Sequence, residues 1–176
     1  MIEESLMCLA SVATIAVLTL GVTAGGCLAG SKEGAGKTAA PVAAKDADAR
    51  RAEVLFPNNF LVVAEIADTP ERQQKGYMFR KEVREGEGMV FLFARPDFYL
   101  FWMKNTLVPL DIIWMDESST IIHIEPNTPP CKGDPCPSYG PMRKASSVLE
   151  VRAGTAAAQG LKSGDRLRIT FPQSAD

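Results

Sequence analysis

Residues 98–111 read Phe98-Tyr99-Leu100-Phe101-Trp102-Met103-Lys104-Asn105-Thr106-Leu107-Val108-Pro109-Leu110-Asp111. Six apolar or aromatic residues open the stretch, and a polar trio interrupts it. Pro109 then leads to a carboxylate at the mouth of a second apolar run. An unbroken apolar run of strand length predicts a strand covered on both faces. The polar trio Lys104-Asn105-Thr106 therefore stands where a core meets something else.

Working outward, short strands are expected at 54–56, 60–67, 89–94, 147–151 and 166–171, with a hairpin of 110–115 against 120–125. Thr69-Pro70-Glu71 announces a helix through a capping side chain, a first-position proline and an acid in the first turn, and Gly76 closes it. A second short helix is expected over 154–160. The Pro-, Gly- and Cys-containing segment 126–141 reads as an ordered loop. These elements predict a mostly-β single domain, β-barrel-like or a folded sheet, with two short helices. With 176 residues and 46% hydrophobic composition, the chain can bury one good core. A net charge of −2 gives no electrostatic reason to expect nucleic acid as a partner.

The N-terminal segment differs from the rest. No charged side chain occurs from Leu6 to Gly30, and small residues precede Cys27. That is the layout of an export signal over 1–27, and the residues before Cys27 resemble a bacterial lipoprotein box. The match departs at Ala24, where such boxes usually carry Leu, and at Glu3 and Glu4, where basic residues are usual. A plain cleaved signal, or an uncleaved anchor of roughly 20 uncharged residues, is the alternative. Each reading places the domain outside the cytoplasm and makes the membrane a partner. Residues 28–52, rich in Ala, Gly, Lys and Asp, read as a tether. The folded domain is expected over 53–172, with a tail at 173–176. Beyond Cys8 and Cys27, only Cys131 and Cys136 remain, an even pair expected to form a disulfide in an oxidising compartment.

Four motifs occur in order: Gly76-Tyr77-Met78-Phe79-Arg80, Phe101-Trp102-Met103-Lys104-Asn105-Thr106, Pro109-Leu110-Asp111, and Gly160-Leu161-x-x-Gly164-Asp165. Together they resemble the bacterial and archaeal family called domain of unknown function 192, over about residues 53–171. Tyr77 departs from the Leu usual there, which bears on packing. The resemblance implies a small β-rich fold, often exported or lipid-anchored, and brings no settled activity.

The candidate site residues are Arg80, Trp102, Lys104, Asn105, Thr106, Asp111 and Glu150. Lys104 and Asp111, if at one edge of adjacent strands, form a charge pair lining a pocket, with Arg80 as an anion ligand. Asn105 and Thr106 add neutral donors and acceptors for a glycan, peptide or protein ligand. The same residues suit fold maintenance, because polar groups at strand ends cap backbone. Arg80 follows three large apolar residues and suits either a ligand contact or a buried ion pair, for which Glu150 is a candidate partner. Trp102 is a core aromatic or a sugar-stacking platform. The lone His123 leaves no multi-His metal site, and no metal or cofactor is expected. Two functions follow: a non-enzymatic, membrane-tethered binding or structural module, or a cell-wall-directed hydrolase or lyase. The second uses Asp111 or Glu150 as acid/base, with Lys104 or Arg80 stabilising negative charge.

Overall fold

The computed structural model describes residues 50–172. The expected signal with Cys27, the tether up to residue 49 and the tail at 173–176 lie outside the described residues. In chain order the elements are β1 (Arg51–Leu55), β2 (Leu61–Ala67), α1 (Pro70–Lys75), β3 (Glu87–Asp97), β4 (Phe101–Trp102) and β5 (Leu110–Met115). They continue with β6 (Ile121–Thr128), β7 (Ser138–Tyr139), β8 (Ala145–Arg152), α2 (Thr155–Ala158) and β9 (Arg168–Thr170). Because Arg51 and Ala52 already pair with Glu65 and Ala64, the folded part begins ahead of the expected residue 53.

Local chemistry sets several boundaries. The Thr69 hydroxyl accepts the Arg72 N–H, Pro70 opens α1, and Gly76, at a φ of 44°, ends it. Asn59 takes a φ of 67° in the β1–β2 turn, while the Asn58 side chain accepts the Phe60 N–H.

Seven strands form one sheet in the order β6-β5-β8-β3-β2-β1-β9. All its pairings are antiparallel except β2 with β3. The two sheet edges touch at one end. Thr120 bridges Arg166, the Ile121 N–H donates to the Asp165 carbonyl, and the Leu167 N–H donates to that of Ser119. The sheet is nonetheless not closed into a barrel.

Alternation along the strands divides the core between the two faces. Val54, Val62, Ala64, Ile66, Val90, Ile113, Leu149 and Val151 pack on the inner face of the curl. On the other face, Met89, Phe91, Ile112, Trp114 and Val148 pack against Tyr77 and Met103. Fully burying a large apolar side chain contributes roughly 1.5–3 kcal/mol, so both faces contribute substantially to stability.

The opening stretch does not become a strand covered on both faces. Only Phe101 and Trp102 pair, with Tyr139 and Ser138 of β7, in a two-stranded ribbon separate from the main sheet. Tyr99 and Phe101 turn inward, where Tyr99 stacks on Phe93 at 3.5 Å and Phe101 meets Phe91 edge-on at 4.9 Å. The alternate residues, Phe98, Leu100 and Trp102, are exposed. The apolar run is continuous because its inner half is core and its outer half is surface.

Candidate functional site

Asp111 stands on β5 and is wholly buried. Its Oδ1 accepts the N–H groups of Asn127 (2.8 Å) and Gly154 (3.0 Å), and its Oδ2 accepts that of Ala156 (2.7 Å). These bonds fasten the end of β6 and the start of α2 to β5, satisfying donors that the short helix cannot satisfy internally. With its oxygens so engaged and no exposed surface, Asp111 is a structural carboxylate. The expected Lys104–Asp111 pair does not form. Lys104 Nζ lies 3.2 Å from Asp134, in the loop closed by the Cys131–Cys136 disulfide, and 5.6 Å from the centre of the Trp102 ring.

Asn105 is a turn residue. Its φ of 57° suits Asn, and the turn is closed by the Thr106 N–H to the Met103 carbonyl at 3.2 Å. The Asn105 carbonyl accepts the Phe79 N–H at 2.8 Å, and Thr106 bridges Met78. The segment Gly76–Arg80 is thus pinned to the turn at 103–106. Two motifs separated in sequence are one structural unit.

Arg80 grips Glu65 with both arms, at 2.7 and 2.6 Å, and its guanidinium lies 5.0 Å above the Tyr77 ring. The sequence offered Glu150 as a candidate partner for Arg80, but β2 places Glu65 two strands away from β8 and presents a carboxylate to each nitrogen. The fork geometry explains the preference.

Glu150 is the exceptional group. It lies on the interior strand β8 between Met89 of β3 and Ile112 of β5. It is 5% exposed, and its Oε2 has no hydrogen-bond partner. Burial pushes its carboxyl up to about 8, against a smaller downward pull from Arg80. The acid is therefore mainly protonated at neutral pH. Burial also holds the neighbouring Tyr77 phenol well above its ordinary value, so no second charge develops there.

The roof over Glu150 comes from the end of α1 and the pinned segment. Gly76 approaches so closely that a Cβ there would lie 3.4 Å from Phe91 Cζ and 3.8 Å from Glu150 Oε2. A recess of about 30 Å³ remains, with Glu150 and Phe91 in its lining and Trp102, Lys104, Thr106 and Gln74 around it. That volume holds about two water-sized groups, enough for a hydroxyl or an amine but not for a ring. Larger grooves of about 480 Å³ beside Arg166 and about 260 Å³ beside Arg152 contain no buried polar atom without a partner.

Of the seven candidates, Trp102, Lys104, Thr106 and Glu150 line this one recess, whereas Arg80, Asn105 and Asp111 do not. Gln73, Gln74, Lys75, Tyr77 and Phe91 are also in the wall and were not among the candidates, and Gly76, Met78 and Phe101 complete it. Tyr77 lay in a quoted motif, which is the signal that could have found it. Among the described residues, no group of three or more His, Cys, Asp or Glu side chains could hold a metal ion.

With the geometry in place, comparison with known proteins is informative. Residues 55–169 match the family DUF192, described as an uncharacterized ACR. The chain belongs to this family. No curated protein matches it. Two solved structures are similar to this DUF192 chain. A protein of unknown function from Novosphingobium aromaticivorans is 32% identical, with a TM-score of 0.63, covering 79% of this chain and 99% of its own. A protein from Sinorhizobium meliloti, described as a candidate transcription regulator, is 29% identical, with a TM-score of 0.61 and coverage of 68% and 92%. Two of the quoted motifs interlock here, Gly76–Arg80 with the turn at 103–106, while Asp111 fastens the turn into α2, and Gly164 and Asp165 of the last motif bond to Ile121.

Proposed function

We propose that this protein is a non-enzymatic binding module of the cell envelope, tethered to a membrane by its N-terminal segment, that captures a glycan end at the Glu150 recess. One observation carries the reading: a protonated acid, buried and with a free Oε2, lines a recess that also reaches Trp102 and Lys104. A buried polar atom without a partner costs about 1–3 kcal/mol, and a ligand hydroxyl inserted against it removes that cost. The recess admits a hydroxyl while the sugar ring stays outside, where exposed Trp102 offers an apolar face and Lys104 a donor. The disulfide and the uncharged N-terminal run support export.

A hydrolase or lyase is the second reading, and the raised pKa of Glu150 favours it, since an acid that keeps its proton can protonate a leaving group. Glycoside hydrolysis also needs a second carboxylate about 5–9.5 Å away. Asp111 is occupied by three amides and Glu65 by Arg80, which favours binding without turnover. A regulator's role, as described for the Sinorhizobium protein, gains little support here. Among the described residues the two helices, of six and four residues, are short for a recognition helix, and the net charge is −2.

The test is an NMR titration with soluble peptidoglycan disaccharide-peptides. Saturable shifts of the Trp102 indole and the Gly76 and Thr106 amides are expected, with fragments recovered intact. The Trp114 indole, which donates to the Tyr99 carbonyl at 2.8 Å, serves as an internal control. Cleaved fragments would establish the second reading. Shifts at neither the recess nor its rim would overturn both.

A further inference from the structure

The segment leading into β4 and the chain just beyond β7 carry a group of exposed apolar side chains. Burial alternates along 98–102, leaving Phe98 55%, Leu100 63% and Trp102 49% exposed. Met142, three residues beyond β7, is 97% exposed. Gly140 holds the two chains tightly together, because a Cβ there would fall 2.8 Å from Leu100 Cδ2 and 3.0 Å from the Tyr99 carbonyl oxygen. Large apolar side chains standing in period-2 alternation along one segment share a side of it and are not a scatter of single exposed residues.

The charges near these side chains indicate what covers them. Arg95 stands three residues before Phe98, Arg143 and Lys144 follow Met142, and all three are exposed, while Lys104 stands two residues after Trp102, in a chain whose net charge is −2. The acids nearby are few and engaged. Asp97 accepts the Phe98 N–H, Asp134 pairs with Lys104, and Asp116 feels Arg143. Trp, Leu, Phe and Met flanked by Arg and Lys is the side-chain mixture of a bilayer interface, where rings sit at headgroup level and cations meet anionic lipid.

We infer that Phe98, Leu100 and Met142, with Arg95, Arg143 and Lys144, form a lipid-docking face that lies on the membrane to which the chain is tethered, with Trp102 at its border beside the recess. The inference rests on the tether reading for its geometry. On that reading, a flexible tether of this length would reach on the order of 25 Å and would keep the domain near the bilayer. Docking is then an intramolecular event at an effective concentration near millimolar, so a weakly binding surface is occupied.

The test uses the full chain reconstituted with vesicles of phosphatidylcholine, with and without phosphatidylglycerol, carrying brominated acyl chains. The chain has two tryptophans, and Trp114 is fully buried, so lipid-borne quenching reports on Trp102. Flotation with the vesicles reports separately on the N-terminal tether. The expected result is flotation together with Trp102 quenching that strengthens with phosphatidylglycerol and weakens with salt. The double variant Leu100→Ser, Met142→Ser touches neither the recess nor the tether and should still float while losing quenching several-fold. Flotation without quenching overturns the docking face and leaves the tether standing. Absence of both overturns both. Quenching that is unchanged in the double variant, or a dimer that the double variant abolishes while quenching is absent, also overturns the lipid assignment.

Discussion

Glu150→Gln removes an ionisable group from the interior of the sheet while keeping its length and its neutrality at pH 7. In the folded protein the carboxyl titrates near 8, and in the unfolded chain near the ordinary glutamate value of 4.5. Between those values the folded state holds a proton that the unfolded state has released. Stability therefore falls as pH rises through this window, by about 1.4 kcal/mol per pH unit for one such group. The contribution is fully present below pH 4.5 and is lost by about pH 8. From pH 4.5 to 7 the loss is roughly 3 kcal/mol, a large share of a typical domain stability of about 5–15 kcal/mol. The amide of Gln leaves its own groups unpartnered, which offsets the absolute gain by about 1–3 kcal/mol. That offset does not depend on pH, so the slope is the observable. Urea unfolding followed by circular dichroism from pH 4.5 to 9 should show the variant gaining on the wild type by roughly 3 kcal/mol at pH 7, then levelling above pH 8. Parallel curves for the two proteins would mean that Glu150 titrates like a surface glutamate and that the recess is wet and open.

Two further outcomes test the frame around the site. Asp111→Ala orphans three amide donors and should cost at least about 3 kcal/mol, so thermal melting should fall by well over ten degrees or vanish; a melt within a few degrees of wild type would show that those amides find water instead. Cys131→Ser with Cys136→Ser opens a short loop and should lower stability by about 2 kcal/mol in urea unfolding, while freeing Asp134 from Lys104; equal midpoints with and without reductant would count against any constraint from the bridge.

What the sequence made legible was local. The Thr69-Pro70 start and the Gly76 stop of α1 are written in side chains that act within one turn, and the structure reproduces them. The hairpin of β5 and β6 was visible because its strands are adjacent, although β6 runs on to Thr128 through a bulge. The stretch 98–103 misled because an apolar run has the same composition whether its second face is core or open surface. The strand at Ser138–Tyr139 was hidden in a segment rich in Pro and Gly, and exists only because β4 pairs with it. Of the motif residues, Trp102, Lys104 and Thr106 line the recess, whereas Asn105 and Asp111 serve the fold. Glu150 appeared as a possible partner for Arg80. Its isolation depends on what passes over it from another part of the chain, which no local pattern records.

The one parallel pairing in the sheet, β2 with β3, has a consequence for the whole site. Antiparallel neighbours can be joined by a tight hairpin, but parallel neighbours force the chain to travel back across the sheet before the next strand begins. Residues 68–86 make that return journey, and they include Gly76 and Tyr77, which cover Glu150. A tight hairpin between β2 and β3 would leave no segment to place Gly76 and Tyr77 over this glutamate, and the recess would lose that part of its roof. Part of the cover over one side chain is thus a product of chain direction two strands away. Relatives that lengthen or shorten this return segment should differ in what they bind while keeping the same seven-stranded sheet, a divergence that comparative binding across the family would reveal.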